Sequence, residues 1–415
     1  MKRRDFIQLA ALSGAILLPL GRNAWAASVP DSAVTQRKLI VIMLRGAVDG
    51  LSVVAPYGDT EYYRLRPNIA VPRPGQENGA IDLDGYFGLN PALTSLQPLW
   101  RQGKLAFVHA SGSPDLTRSH FDAQDYLESG TPGRKATQDG WMNRLLGQLP
   151  GPITPTRAVS VGPVMPRILS GSIEASNIAS GAAGSRPTLL DRPKIGKAFD
   201  QLYSGDDKYS KTFQQAQETH KEVMNSMDNE IQAEMQAANG GAPLPNGFPD
   251  DAERLARLMR NDPNVQFAFL ALGGWDTHAN QGTVQGQLAN RLTPLGSGLA
   301  SLAQHLGPMF DDTTIVVMSE FGRTVKQNGN NGTDHGHGNV MWILGGPVNG
   351  GKVYADWQGL DVRHLHEGRD VPVTTDFRWV LAQIAERHLR LPDSRLQQVF
   401  PDLTGRKPDF NLLRI

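Results

Sequence analysis

The 415-residue chain contains no cysteine, so neither disulfides nor thiolate metal sites can contribute to it. Any metal must be held by oxygen and imidazole ligands. Excess charge is also absent: 41 basic residues balance 41 acidic ones. No basic run interleaved with aromatics follows residue 26, which argues against nucleic acid or an anionic membrane as partner. A dinucleotide fingerprint and a haem attachment motif are missing too, which disfavours a redox protein. The one apolar run near the N-terminus, from Phe6 to Leu20, is shorter than the roughly 20 residues a membrane-spanning helix needs.

What is present at that end is Arg3-Arg4-Asp5-Phe6-Ile7, the apolar run, and then Ala24-Trp25-Ala26, a small-x-small cleavage pattern. Residues 1–26 are therefore expected to be a twin-arginine signal peptide, handled by the twin-arginine translocase. The mature protein is expected to be periplasmic or secreted, with no stable membrane span after cleavage. Cleavage would remove four basic residues and one acidic residue, leaving a mildly acidic chain.

Residues 27–415 are expected to form a single α/β domain. Residues 38–44, Lys-Leu-Ile-Val-Ile-Met-Leu, form a continuous apolar, β-branched run suited to a strand buried on both faces of a largely parallel sheet. Similar runs recur at 105–109, 158–161, 265–272, 314–318 and 340–344. Helical patterns at 293–306, with Pro294 at the first helical position, and at 377–389 alternate with them. That alternation predicts helices on both faces, with sites at the carboxyl ends of the strands. A helical excursion over about 205–260 interrupts the order; in it, a polar helix over about 207–238 places His220 on a narrow apolar stripe, as a packing residue.

Acids and imidazoles follow several of these strands. Asp49 follows the first, either as a carboxylate aimed into a cleft or as part of a simple Asp-Gly turn. Arg118 and Ser119 sit where a helix is expected to begin; Ser119 is either its N-cap or a nucleophile activated by the helix terminus, with Arg118 gripping an anion. Asp276 and His278, after Gly273-Gly274, face the same way in extended backbone; they either converge on a divalent metal such as Zn²⁺ or sit on a surface loop. Glu320 ends another strand, as a ligand or as the ion-pair partner of Arg323. Asp334-His335-Gly336-His337-Gly338-Asn339 either packs ligands with two glycines that let them crowd around a metal or anion, or, after the glycine-rich stretch 327–333, is a surface loop with a solvated histidine pair. His364 and His366, alternating with leucine in a polar connection, are expected at the surface.

In order, these features resemble the alkaline phosphatase and sulfatase superfamily. The strings Leu-Arg-Gly-Ala-Val-Asp-Gly-Leu, Arg-Ser-His-Phe-Asp-Ala-Gln, Gly-Gly-Trp-Asp-Thr-His, Ser-Glu-Phe-Gly-Arg-Thr and Asp-His-Gly-His-Gly resemble, more narrowly, the DUF1501 family of exported proteins, over roughly residues 38–390. The resemblance implies an alkaline-phosphatase-like three-layer sandwich and a metal-dependent hydrolase of phosphate or related esters, using one or two ions of Zn²⁺, Mn²⁺ or Ca²⁺. It places Ser119 as nucleophile, Arg118 or Arg323 as the clamp on a small anionic ester, and Asp49, Asp276, His278, Glu320, Asp334, His335 and His337 in the metal site. The superfamily's Asp-x-x-x-His spacing is shortened by two at Asp276 and His278, and the histidine of its Asp-His pair is replaced by Phe321. Those departures fit an alternative, a non-catalytic binding or assembly protein for a cell-envelope component. No Cys or Ser-x-Pro-x-Arg motif surrounds Ser119, which disfavours a formylglycine sulfatase.

Overall fold

A computed structural model describes residues 15–18, 25–28, 37–135, 137–151, 154–180 and 237–414. It forms two compact units, Met1–Gln36 and Arg37–Ile415. In the first, Ala15–Leu18 pairs antiparallel with Trp25–Ser28. The remainder of the expected signal peptide lies outside the described residues, as does the expected helix over 207–238 apart from its last two positions.

The second unit is built on a nine-stranded sheet. Its strands are β1 (Lys38–Leu44), β2 (Leu105–Gly112), β3 (Ala158–Val161), β4 (Ser176–Ile178), β5 (Phe267–Leu272), β6 (Thr313–Ser319), β7 (Asn339–Gly345), β8 (Lys352–Tyr354) and β9 (Thr375–Asp376). They lie in the order β8-β2-β7-β6-β1-β5-β3-β4, with β9 also beside β2. All pairings are parallel except those that β7 makes with β6 and β2.

The apolar runs become central strands because both faces can be covered. On β1, Ile40, Ile42 and Leu44 enter one core and Leu39, Val41 and Met43 the other, as the two-residue period of a strand requires. The first core is closed by Leu255 and Met259 of the helix Phe248–Asn261 and by Leu292 and Leu299 of the helix Gln287–Leu306. The second is closed by Leu145 of Trp141–Gln148 and Val380 of Phe377–Gln383. The architecture is the expected three-layer α/β sandwich. No helix among the described residues is long and apolar enough to cross a membrane.

One element differs in its start. The helix expected from Thr293 begins at Gln287, and Pro294 lies inside it. Burial of Leu288, Ala289 and Leu292 extends the helix about two turns upstream, outweighing the lost N–H.

Candidate metal centre

Parallel strands β1, β5 and β6 end side by side, so the segments carrying Gly46, Asp276 and Glu320 leave the sheet at one edge. Because β7 runs the opposite way, its amino end lies at that edge too, bringing in Asp334 to His337. From β2 the chain reaches the same place through Ser119, the N-cap of the helix His120–Ser129, here α1. Close approach depends on two glycines. Gly46 has φ +114°, and a Cβ there would lie 2.6 Å from the backbone nitrogen of Asp276. At Gly336 a Cβ would lie 2.4 Å from the carbonyl carbon of Arg323, where Arg323 and His335 form an isolated β-bridge.

Three imidazoles meet at the Asp276 carboxylate. The Nε2 of His335 lies 2.9 Å from that of His120 and 3.0 Å from that of His278. Asp276 Oδ1 lies 2.9 Å from His278 Nε2 and 3.3 Å from His335 Nε2, and its Oδ2 lies 3.5 Å from His120 Nε2. The other ring nitrogens face oxygens: His120 Nδ1 meets Glu320 Oε1 at 2.8 Å, His335 Nδ1 meets the carbonyl of Arg118 at 2.9 Å, and His278 Nδ1 meets Asp334 Oδ1 at 3.3 Å. Carbonyls and ionised carboxylates only accept, so each Nδ1 carries the hydrogen and each neutral ring turns its Nε2 lone pair inward. Lone pairs that close repel, and a cation belongs among them. Three imidazoles and one carboxylate, each ring backed by an oxygen, are a donor set that could hold a divalent metal ion. Among the described residues, His120, Asp276 and His335 form the group of ligand atoms compact enough to hold a metal ion, and His278 adjoins two of them.

The electrostatics carry the same signature. Burial opposes charge on His120, but its hydrogen bonds to the Asp276 and Glu320 carboxylates outweigh it and push its pKa up to about 9. Burial works against ionisation of Asp276 as well, yet His120, His278, His335 and Arg323 hold its carboxyl far below the usual carboxylate range. The cluster thus demands positive charge at its centre, a proton or a metal ion. A cavity of about 230 Å³ opens over it, lined by Ser119, His120, Phe121, Asp276 and His335 among others. A larger cavity of about 360 Å³, walled mainly by aliphatic residues such as Val161, Leu255 and Leu258, holds no imidazole.

Several expected site residues have other tasks. Asp49 is fully buried and pairs with Arg66, at 2.6 and 3.0 Å, while also accepting from Ser52 and Gln281; these donors occupy it as an ion pair, outside the cluster. Arg323 is buried too, donating to Asp276 Oδ1 at 2.6 Å and to Thr333, so its guanidinium is paired with that carboxylate. Its partner is Asp276 and not Glu320. Glu320 is also fully buried, accepting from Gly46 N, Gln124 and Ser319, and it orients His120 from behind. Asp334 plays the same part for His278 from an exposed position. His337 points elsewhere, packing its ring 5.0 Å from that of His366, and burial lowers its pKa to about 4. The Arg118 side chain is taken by Glu367 and Asp370. Ser119 is exposed at the cavity mouth and caps α1, with its Oγ 3.5 Å from Asp122 N.

The sequence gives little signal for His120, which sits one place after a serine that reads as a helix cap. Phe321 packs beside the cluster, its ring centroid 4.9 Å from that of His120 and 5.1 Å from that of His335.

Residues 104–400 match the family model described as "Protein of unknown function (DUF1501)". No curated protein matches the sequence. Among solved structures, the chain is similar to Ps i-CgsB in complex with k-i-k-neocarrahexaose, at 11% identity over 88% of this chain and 74% of that one, with a TM-score of 0.38. It is also similar to the C-terminal periplasmic domain of EcEptC from Escherichia coli in complex with Zn, at 11% identity over 76% and 74%, TM-score 0.35. A protein in the alkaline phosphatase superfamily from Vibrio parahaemolyticus is similar at 10% identity over 75% and 60%, TM-score 0.35. The family match extends over most of the sequence and takes in α1, β5, β6, β7 and all four clustered side chains: the chain belongs to the DUF1501 family.

Proposed function

We propose that this chain is an exported, metal-dependent hydrolase of phosphate or related esters. The observation that carries this reading is the convergence of three imidazole Nε2 atoms on Asp276, in a cavity that Ser119 also lines. His120, His278, His335 and Asp276 would hold one divalent ion, with Zn²⁺ fitting the donor set best and Mn²⁺ or Ca²⁺ as alternatives. Bound there, the ion would act as a Lewis acid that neutralises an ester oxyanion and lowers the pKa of a nearby hydroxyl. The chain does the remainder. The first N–H groups of α1 have no intrahelical acceptor and favour an anion. Ser119 Oγ bonds to phosphorus, the ester P–O bond breaks, and the alcohol leaves with the serine's proton, exchanged through solvent at the cavity mouth. Water then cleaves the phosphoserine.

Purified mature protein should contain about one divalent ion per chain. Ser119→Ala should retain the ion and lose hydrolysis of p-nitrophenyl phosphate and sulfate, while His120→Ala should lose both. Protein that takes up no metal and has no affinity for phosphate would sink this reading. Export is tested separately: with Arg3→Lys and Arg4→Lys together, the protein should remain in the cytoplasm.

One observation favours a non-catalytic binding or assembly role on the same fold. Both candidate clamps, Arg118 and Arg323, already pair with carboxylates, so an anion would have to compete for either guanidinium. Tight association with a cell-envelope polymer, undiminished in Ser119→Ala, would select this second reading.

A further inference from the structure

We propose that the turn at residues 366–370 is a positioning device for the metal ligand His335, acting through Arg118 and Arg369. The proposal rests on the metal-centre reading above and concerns how one ligand of that centre is held.

The turn reaches His335 from two sides. On one side, Asp370 Oδ2 and Glu367 Oε2 both accept from Arg118 Nη2, at 2.8 and 2.7 Å. The main-chain oxygen of that same arginine accepts the hydrogen of His335 Nδ1 at 2.9 Å, the bond that turns Nε2 toward the cluster. On the other side, Arg369 Nη2 donates to the main-chain oxygen of His335. The loop behind is pinned as well, with Gly338 N donating to Val371 O at 2.7 Å and the His337 ring lying against His366. Ring and backbone of one ligand are thereby fixed by a single short segment. Groups that back a metal-bound histidine in this way tune affinity even though they never touch the ion.

The turn breaks a local rule to do this. His366 N donates to Asp370 O at 2.9 Å and Arg369 N to His366 O at 3.0 Å, closing a tight hairpin. Its two central residues, Glu367 and Gly368, have φ of +54° and +65°. Glycine, asparagine or aspartate suits both places, and glutamate is strained in the left-handed region. The carboxylate at position 367 reaches Arg118, which gives the misfit a use. Asp370 is a second irregularity, since its side chain is fully buried and its Oδ1 has no hydrogen-bond partner, only Arg369 Nε at 3.3 Å. Both irregular residues converge on Arg118.

The test uses the whole mature protein, measuring Zn²⁺ affinity by chelator competition, the visible spectrum of the Co²⁺-loaded form, and the melting temperature of the metal-free form. Asp370→Asn should weaken Zn²⁺ about tenfold and alter the Co²⁺ bands. Glu367→Gly relieves the turn, so it should keep or raise the metal-free melting temperature while still lowering Zn²⁺ affinity, a combination that a purely structural role would not give. Arg118→Ala should lower the affinity, and Asp370→Asn should add little on that background, because both act through one side chain. Unchanged affinity in Glu367→Gly and Arg118→Ala overturns the proposal while leaving the metal centre standing; should Asp370→Asn fail to fold, those two variants decide. Wild-type protein with no Zn²⁺ affinity overturns the metal centre and this inference with it.

Discussion

Both oxygens of Asp49 accept hydrogen bonds from Arg66, which also donates to the carbonyls of Thr324 and Val325. Burial alone would raise this carboxyl's pKa; Arg66, Ser52 and Gln281 hold it below the usual range, so the pair is ionised in the interior. Removing one partner strands a buried charge, at a cost of about 3–5 kcal/mol. Arg66→Met is accordingly expected to lower unfolding free energy by that amount in a denaturant titration. Asp49→Asn, by contrast, should leave Zn²⁺ stoichiometry unchanged if it folds, and loss of the ion would restore Asp49 as a ligand. The sequence made Asp49 visible as an acid at a strand end, yet could not say which arginine answers it, because the partner lies across a loop. Asp276, His278 and His335 were legible for a better reason: each is flanked by glycine or extended backbone that leaves little else for it to do. Glu320 and Asp334 are legible as acids near histidines, but not as the partners of His120 Nδ1 and His278 Nδ1, since a single hydrogen bond decides which atom each carboxylate faces.

Among elements, β7 decides the site. An apolar run such as Asn339–Gly345 reads the same in either direction, so the sequence gives a buried strand without its polarity. Run parallel to β6, it would deliver His335 and His337 to the opposite edge of the sheet. Its reversal needs a tight entry, where a Cβ at Gly336 would meet the carbonyl carbon and oxygen of Arg323 at 2.4 and 2.5 Å. Backbone cannot step aside as a flexible side chain can. Gly336→Ala should therefore destabilise the protein by about 1–3 kcal/mol and weaken Zn²⁺ binding, because the His335 ring shifts with the strand entry. Gly329→Ala, in the same glycine-rich lead-in but with nothing within 4 Å of its Cβ, is the control and should change stability by no more than about 0.5 kcal/mol. Equal effects from the two would refute the packing account.

At the scale of the whole molecule, acid sensitivity should come from buried histidines that pack as neutral rings, His337 of the site loop and two remote from the cavity, His109 and His388. His109 is buried between Val54 O, which its Nε2–H donates to at 3.1 Å, and Ala110 N–H, which donates to its Nδ1 at 3.0 Å. That arrangement accepts only the neutral ring, and burial pushes its pKa down to about 4. His388 is likewise lowered to about 4 by burial, with Nε2 donating to Lys38 O at 2.9 Å and Nδ1 unpartnered. Their unfolded-state value is 6.5, so the unfolded chain binds protons first as pH falls. Stability from these two rings is complete above pH 6.5 and is lost as the pH falls from there toward 4, by about 2 kcal/mol for each ring at pH 5. Carboxylates with lowered pKa values act in the opposite range: Asp49 and Asp276 stay ionised at pH 5 in either state, and their contribution disappears only in stronger acid. Denaturant titrations of metal-free protein at pH 7 and pH 5 should show this loss. In His388→Gln the difference between the two pH values should shrink by about 2 kcal/mol, with lower stability at pH 7 from the altered packing. A variant that keeps the full wild-type difference would mean that the ring is already protonated in the folded chain, contradicting the neutral packing described for it.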